Sequence, residues 1–198
     1  VGEVIAIGAK VRSFKLGDLV TRPSGHSPAA RQAGIYSGWG GFAEFGLVGD
    51  RQARVADGDA AAAGDYNLLR QNVVPPGTNV ADAVLAISLA ETASWFQHLP
   101  APGGQAVCVA GTGIAGLSLA FWAKLAGASP VIVLGRRDER LDLARSLGAD
   151  HGINVMREEP GPAVKKLTRG RGASFFYEAV GARDQIRVGL STLAPRGL

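Results

Sequence analysis

The feature that most constrains this chain is a hexad of the form Gly-x-Gly-x-x-Gly, Gly111-Thr112-Gly113-Ile114-Ala115-Gly116. It lies between the unbroken apolar run Ala106-Val107-Cys108-Val109-Ala110 and an Ala/Leu-rich stretch, Ile114 to Leu125. An apolar run without polar alternation reads as a strand covered on both faces, the situation of a parallel sheet. Each glycine then has its own reason. Gly111 permits a tight turn, Gly113 lets a pyrophosphate approach the backbone because it has no Cβ, and Gly116 lets helix and strand pack closely. Amides at the helix N-terminus face the phosphates. The plain alternative is a glycine turn without a ligand, since a chain with 28 glycines produces such hexads by chance. The flanking strand and helix, and a second strand about 20 residues on, favour the ligand.

Beyond the hexad the same alternation continues. A strand is expected over Pro130 to Leu134, a helix over Arg137 to Leu147, a strand over His151 to Val155, a helix over Pro162 to Thr168, a strand over Ser174 to Glu178 and a helix from about Arg183 to Leu193. Strands alternating with helices predict an α/β fold, a doubly wound parallel sheet. Ahead of it, residues 1 to about 75 alternate short β-rich runs (Val4-Ile5-Ala6-Ile7, Asp18-Leu19-Val20-Thr21, Gly41 to Val48) with turns at Gly8, Pro23, Gly25 and Gly49-Asp50. They read as antiparallel sheet, barrel-like. Residues 80 to 99 carry apolar side chains at helical spacing, with Asp82 and Glu91 among them. The change of character near residue 80 implies two units: 1–80 ahead, and 81–198 with the linking helix and the doubly wound sheet.

The end of the second strand bears on which dinucleotide is bound. Folds that take NAD place an Asp or Glu there to accept hydrogen bonds from the ribose. Here the position is Gly135, followed by Arg136 and Arg137. The carboxylate that would repel a 2′-phosphate is gone and two guanidiniums suited to bidentate phosphate contacts follow, so NADP(H) is favoured over NAD(H). The competing reading pairs these arginines with Asp138 or Glu139 on an exposed helix.

The rest of the composition mostly excludes. The 198 residues are 46% hydrophobic and 19% charged, as in a globular chain with a sizeable core. The single cysteine, Cys108, rules out a disulfide framework or a thiolate metal cluster and fits a reducing cytoplasm. No apolar stretch approaches the roughly 20 residues of a membrane span. The net charge of +4 comes from scattered basic residues with acids between them, as in Arg136-Arg137-Asp138-Glu139-Arg140, and no groove-reading motif accompanies it, so nucleic acid is not an expected partner. The chain reads as incomplete, beginning inside a strand and stopping at Gly197-Leu198 where another is due.

Several segments together resemble the medium-chain dehydrogenase/reductase superfamily, over essentially all 198 residues. In the front half these are Val1-Gly2-Glu3-Val4 and Gly8, Phe14-Lys15-Leu16-Gly17-Asp18-Leu19-Val20, and Gly40-Gly41-Phe42-Ala43-Glu44-Phe45, similar to landmarks of its GroES-like catalytic domain. In the back half they are Lys124-Leu125-Ala126-Gly127-Ala128, Arg140-Leu141 through Leu147-Gly148-Ala149-Asp150, and Glu178-Ala179-Val180-Gly181, similar to its Rossmann-type cofactor domain.

The resemblance implies a hydride transfer between NADP(H) and an alcohol, polyol or sugar. It puts Gly111, Thr112, Gly113, Ile114, Ala115 and Gly116 at the pyrophosphate, Gly135, Arg136 and Arg137 at the adenosine phosphate, and Ala179, Val180 and Gly181 beside the nicotinamide ribose. In zinc-dependent members a Cys and a Gly-His-Glu motif bind the catalytic metal, and the resemblance places them upstream of Val1. The third ligand falls on the linking helix, where Glu91-Thr92-Ala93-Ser94-Trp95 makes Glu91 the match, with a solvated surface carboxylate as the alternative. A structural zinc in such enzymes needs four close cysteines, and Thr21 to Gly40 contains none. His26, His98 and His151 read as loop or surface residues, and Tyr36, Trp39 and Phe42 as packing residues. No catalytic residue is assigned. The resemblance also implies a homodimer or homotetramer. The rival readings are a zinc-free quinone or enoyl reductase of the same superfamily, and an NADPH-binding protein without turnover.

Overall fold

The alternation after residue 105 folds as a four-stranded, wholly parallel sheet flanked by helices. The computed structural model describes residues 1–23, 32, 34, 43–98 and 103–198. The expectations for Gly25, His26, Tyr36, Trp39 and Gly40-Gly41-Phe42 lie outside the described residues. Two compact units, Val1–Ile87 and Ser88–Leu198, divide the chain.

In the second unit the elements are β3 (Val107–Ala110), α4 (Ile114–Leu125), β4 (Val131–Gly135), α5 (Asp138–Ser146), β5 (His151–Asn154), α6 (Pro160–Leu167), β6 (Phe175–Glu178) and α7 (Gln185–Thr192). Each lies within two residues or so of its sequence expectation. The strands are ordered β5-β4-β3-β6, with Val109 beside Val133 on one side and Tyr177 on the other. Strand period decides which side chain meets which helix. Val107, Val109, Val131, Val133, Phe175 and Tyr177 join Leu117, Leu119, Ala120 and Ala123 of α4 and Leu141 and Ala144 of α5 in one apolar cluster. Cys108, Ala110, Ile132, Leu134 and Ile153 face the other way, onto Ala163 and Val164 of α6. Helices on both faces make the sheet doubly wound. The Cys108 thiol, wholly buried, is pushed up to about 12 by desolvation, against a weaker opposing hydrogen bond with Thr192, and is chemically quiet.

In the first unit the described residues hold a small antiparallel sheet, as expected of the segment in kind, though not every run expected to be a strand forms one. Among the described residues its strands are β1 (Gly2–Glu3) and β2 (Leu19–Val20), paired antiparallel, extended by Val4 N–H to Asp18 O at 2.9 Å, Val74 N–H to Leu19 O at 2.7 Å and an antiparallel bridge between Val20 and Val73. The run Val4-Ile5-Ala6-Ile7 leaves the ladder after Val4, and Ile5 is 66% exposed; β-branched residues do not make a strand by themselves, and the described residues offer this run no partner strand. Ala43 to Val48 likewise holds no strand. Three helical turns follow that the sequence reading did not foresee: α1 (Arg51–Ala56), a 3₁₀ turn Ala60–Gly64 and α2 (Tyr66–Leu69). An aspartate N-cap begins each: Asp50 accepts from Ala53 N–H, Asp59 from Ala62 N–H, and Asp65 from Asn67 and Leu68 N–H. The long helix α3 (Val80–Gln97) matches the helical period read over 80–99.

Candidate functional site

Sheet order places the site. From β3 the chain passes to β4 and β5 on one side and then returns to β6 on the other, so the direction of winding reverses between β3 and β6. Ligands of such sheets bind outside the carboxyl ends of the strands at that reversal. There the Gly111 turn follows β3 and Ala179-Val180-Gly181 follows β6, so the structure brings together two segments 68 positions apart. Gly111 N–H donates to Leu134 O at 2.9 Å and Ala179 N–H to Ala110 O at 2.9 Å, which carries the ladder to its end.

The three glycines of the hexad differ in what they meet. Gly111 has φ +114°, and an added Cβ would stand 2.8 Å from the Ala179 carbonyl oxygen. A Cβ on buried Gly116 would collide with the Gly111 carbonyl. At Gly113 a Cβ would meet nothing within 4 Å. Packing within the protein therefore explains the first and third glycines and leaves the second unexplained, whereas a ligand pressed against the backbone explains it. Gly113 opens α4 with no side-chain cap, so the first N–H groups of that helix, from Ile114 and Ala115, are free of a side-chain acceptor. The residues thus fit a dinucleotide.

At the end of β4, Gly135 is buried, and Arg136 and Arg137 are exposed at the start of α5. Of the two pairings foreseen as the alternative, only Arg137 to Glu139 forms, at 3.6 Å with both side chains more than two-thirds exposed. Asp138 is instead held by Asn154 Nδ2 and Arg157 Nη2, each at 2.6 Å; its carboxyl lies below the ordinary range chiefly through the Asn154 hydrogen bond. Across the site, the Glu178 carboxylate accepts from Val180 N–H at 2.6 Å and Gly181 N–H at 2.9 Å, shaping the turn in which Gly181 has φ +80°.

Two residues with a part in the site were not singled out from the sequence. Glu178 had no signal beyond its place in a recurring segment. Arg140, which the sequence shows as a scattered basic residue and as the head of a recurring segment, donates from Nε and Nη2 to the Thr112 carbonyl at 3.0 and 2.7 Å. Its signal is the helical step of three from Arg137, which turns it back toward the hexad.

Glu91 lies on the exposed side of α3, while its neighbour Thr92 is buried and accepts a hydrogen bond at 3.2 Å from the Trp122 indole. His98, also exposed, contacts Ser94 O through Nδ1 at 2.6 Å. Among the described residues no three His, Cys, Asp or Glu side chains gather closely enough to hold a metal ion. They do not by themselves fit a zinc site, so no chemical step is routed through one. No helix among them is long and apolar enough to cross a membrane.

Comparison with known proteins agrees with this geometry. Residues 113–198 match the model of the zinc-binding dehydrogenase family. The chain is 31% identical over 193 residues to L-threonine 3-dehydrogenase of Symbiobacterium thermophilum, covering 96% of this chain and 52% of that protein. It is 28% identical over 201 residues to NADP-dependent isopropanol dehydrogenase of Clostridium beijerinckii, covering 100% of this chain and 57% of that protein. Among solved structures, alcohol dehydrogenase TADH from Thermus sp. ATN1 superposes with a TM-score of 0.67 at 26% identity, over 99% of this chain and 59% of that one. The chain spans about half the length of the curated relatives it matches. Fold and sequence together define an α/β chain of dehydrogenase type. Each of these similarities is to a dehydrogenase, and residues 113–198 carry the match to the zinc-binding dehydrogenase family.

Proposed function

We propose that this chain supplies the dinucleotide site of an NADP(H)-dependent oxidoreductase that acts on an alcohol, polyol or sugar. The observation that carries the reading is the end of β4. Gly135 offers no carboxylate, and two exposed guanidiniums follow it beside a glycine turn whose central position is open. Exposed arginines with at most one loose partner remain available to a 2′-phosphate, which each can take bidentately.

When bound, the nicotinamide accepts or gives a hydride at its C4. The chain's own task is to bind and orient. Backbone N–H groups at the start of α4 hold the pyrophosphate, Arg136 and Arg137 take the adenosine phosphate, and Ala179-Val180-Gly181, stiffened by Glu178, borders the nicotinamide ribose. Glu91 is retained as a candidate zinc ligand whose companions lie outside the described residues; zinc content of the whole protein with Glu91→Gln beside wild type tests it. The first unit is read as part of a GroES-like domain, supported by the antiparallel pairing of β1 and β2.

Fluorescence titration of the whole protein with NADPH and NADH tests the main reading. Wild type is expected to favour NADPH, and Arg136→Ala/Arg137→Ala to lose about tenfold or more in NADPH affinity, the size of one or two charged hydrogen bonds, with NADH unchanged. Equal affinity in wild type for the two cofactors would end the NADP claim. Alcohol-dependent reduction of NADP⁺ separates an enzyme from a binding protein.

A further inference from the structure

The positive charge of the chain is unevenly placed. Residues 161–198 hold seven of the 21 basic residues and two of the 17 acidic ones, Glu178 and Asp184, a balance of +5 that exceeds the net +4 of the whole chain. All seven are exposed, and none forms an ion pair among the described residues, whereas Lys124, Arg145 and Arg157 earlier in the second unit are each held by an aspartate. One of the seven, Arg183, stands two residues after Gly181, beside the segment read as bordering the nicotinamide ribose, and is left aside. Short backbone ties gather most of the others. Gly170 N–H donates to Lys165 O at 2.7 Å and Arg171 N–H to Thr168 O at 3.2 Å, which folds the chain back on the end of α6, so Lys165, Lys166, Arg169 and Arg171 share one turn. Within it Arg171 Nε reaches the Thr168 carbonyl at 3.4 Å. A parallel bridge between Ala173 and Leu193, with Ala194 N–H on Ala173 O at 2.8 Å, seats the turn that carries Arg196 beside the one that carries Arg171.

Helix α7 adds an apolar element. It packs on the same face of the sheet as α6, with Val188 against the layer that holds Ala163 and Val164, and with Ser191 close to Gly161. Its outward side shows Ile186 and Leu190, 66% and 70% exposed and one helical turn apart, with exposed Arg187 next to Ile186. Like charges this dense repel one another, and an anionic surface relieves the repulsion. Three kinds of anionic surface differ in what they need. Single-stranded nucleic acid relies on aromatic side chains for its bases to stack on, and those of this stretch, Phe175, Phe176 and Tyr177, are strand residues of β6. A lipid surface is served as well by lysine as by arginine. Carboxylates reward arginine, whose planar fork takes both oxygens, and four of the six cations are arginines. Exposed apolar side chains beside arginines also match the composition of a protein interface.

We propose that α6, α7 and the turns carrying Arg171 and Arg196 form a docking surface for an acidic amphipathic segment of another protein. Ile186 and Leu190 receive its apolar side chains, and Arg169, Arg171, Arg187 and Arg196 take its carboxylates. Arg171 and Arg196 lie at the amino end of β6, whereas Ala179-Val180-Gly181 follows its carboxyl end, so the surface is distinct from the dinucleotide site. It stands or falls apart from the cofactor reading.

The test is fluorescence anisotropy of the whole protein with a labelled synthetic helix that repeats glutamate and leucine at helical spacing, beside the same peptide with glutamine in place of glutamate. Saturable binding of the first is expected, and binding of the second at least about tenfold weaker. Arg169→Gln/Arg171→Gln/Arg196→Gln should lower affinity for the acidic peptide about tenfold or more, a loss that shrinks as salt is raised. Ile186→Ser/Leu190→Ser should lower it about tenfold at every salt concentration. NADPH and NADH affinities are expected to stay at wild-type values in both variants. Should the triple arginine variant not fold, Lys165→Gln/Lys166→Gln/Arg187→Gln carries the same comparison. No saturable binding, or equal affinity for the glutamine peptide, would overturn the proposal. Affinity untouched by the Ile186 and Leu190 substitutions would reduce the surface to bare charge and overturn the docking role. Binding to phosphatidylcholine vesicles containing phosphatidylserine, or to single-stranded oligouridylate, that the acidic peptide fails to displace would assign the surface to lipid or nucleic acid instead. Loss of NADPH affinity in the arginine variant would return those residues to the cofactor site and overturn their separate role.

Discussion

The two units hold their chains with different materials. In the second, Val107 to Ala110 and Val131 to Leu134 are almost wholly buried, and apolar layers close over both faces of the sheet. In the first, the buried apolar residues among those described are few and separated, Val4, Val20, Ala62, Leu68 and Val74 among them, and buried polar groups tie the loops. Asp50 Oδ2 accepts from Arg12 and Ser13 N–H at 2.6 and 2.7 Å, and its Oδ1 from Ser13 Oγ and Ala53 N–H at 2.9 and 3.0 Å. Gln71 accepts from Gly49 N–H at 2.8 Å and donates to Arg22 O at 3.2 Å. Apolar layers are non-directional and tolerate pH; polar ties are directional and titrate. The difference teaches where each unit is vulnerable.

The largest effect is expected where backbone meets backbone in the second unit. Gly116→Val forces α4 away from the Gly111 carbonyl, and since neither is the loose end of a side chain the cost is on the order of 4 kcal/mol, with loss of dinucleotide binding. Hydrogen exchange of the β3 and β4 amides reads it. Protection unchanged from wild type would mean that close packing at the turn is not what holds this unit.

That position was legible because its logic is local: strand, turn and helix are consecutive, and a hexad can be recognised whole. The strands and helices of the second unit were legible for a similar reason, long apolar runs and helical periods that packing on both faces leaves intact. The first unit was less so. Ile5, Ile7 and Phe45 looked like strand residues by type but are exposed, and the ties that do order the unit join residues such as Arg12 and Asp50, 38 positions apart, through backbone amides that carry no sequence signature. At the site the same limit applied. The missing acid at Gly135 was readable, whereas the closeness of Thr112 to that position and the hold of Arg140 on the Thr112 carbonyl depend on which chain segments fold together.

Within the second unit's apolar layer, Leu119→Ala is expected to cost about 2–4 kcal/mol, because the residue is 4% exposed and the cavity cannot fill without moving the sheet. Urea unfolding at pH 7 and at pH 4 should give the same loss, since the cluster around it is apolar apart from Tyr177, whose hydroxyl burial keeps above its ordinary value of 10.0 and so neutral across that range. A cost that differed between the two would weaken the contrast with the first unit.

Asp50 supplies the other half of that contrast. Burial alone would raise its carboxyl, but the N–H groups of Arg12, Ala53 and Ser13 and the Ser13 hydroxyl more than offset this and hold it well below its ordinary value of 3.8. Its folded value is depressed, so its stabilisation is fully present above about pH 4 and is lost as pH falls from there toward the folded value. Asp50→Asn turns one acceptor oxygen into a donor that faces N–H or O–H donors. A loss of about 2 kcal/mol is expected at pH 7, shrinking below pH 4 as Asp50 of the unfolded wild-type chain takes up its proton while the folded one does not. Exchange of the amides around Arg12 and Ser13 follows it. A loss that stays constant down to pH 3 would show that shape, not charge, is what Asp50 provides.

The smallest effect tests whether the second unit is as free of polar dependence as its core suggests. Lys124 Nζ meets Asp150 Oδ1 at 2.6 Å with the two side chains 40% and 31% exposed, while Asp150 Oδ2 also accepts from Val131 N–H at 2.7 Å, at the first residue of β4. The ion pair sits in water and its gain is offset by side-chain entropy, so Lys124→Met should cost no more than about 0.5 kcal/mol and fade further in salt. Asp150→Asn should cost more, about 1 kcal/mol, if its amide turns its donor group toward the strand N–H, and this part should persist in salt. Should the two substitutions cost the same and vanish together at high salt, the strand-end bond adds nothing beyond the ion pair. Should Asp150→Asn alone loosen β4 in exchange, the second unit too has a directional polar tie, placed where its apolar layers end.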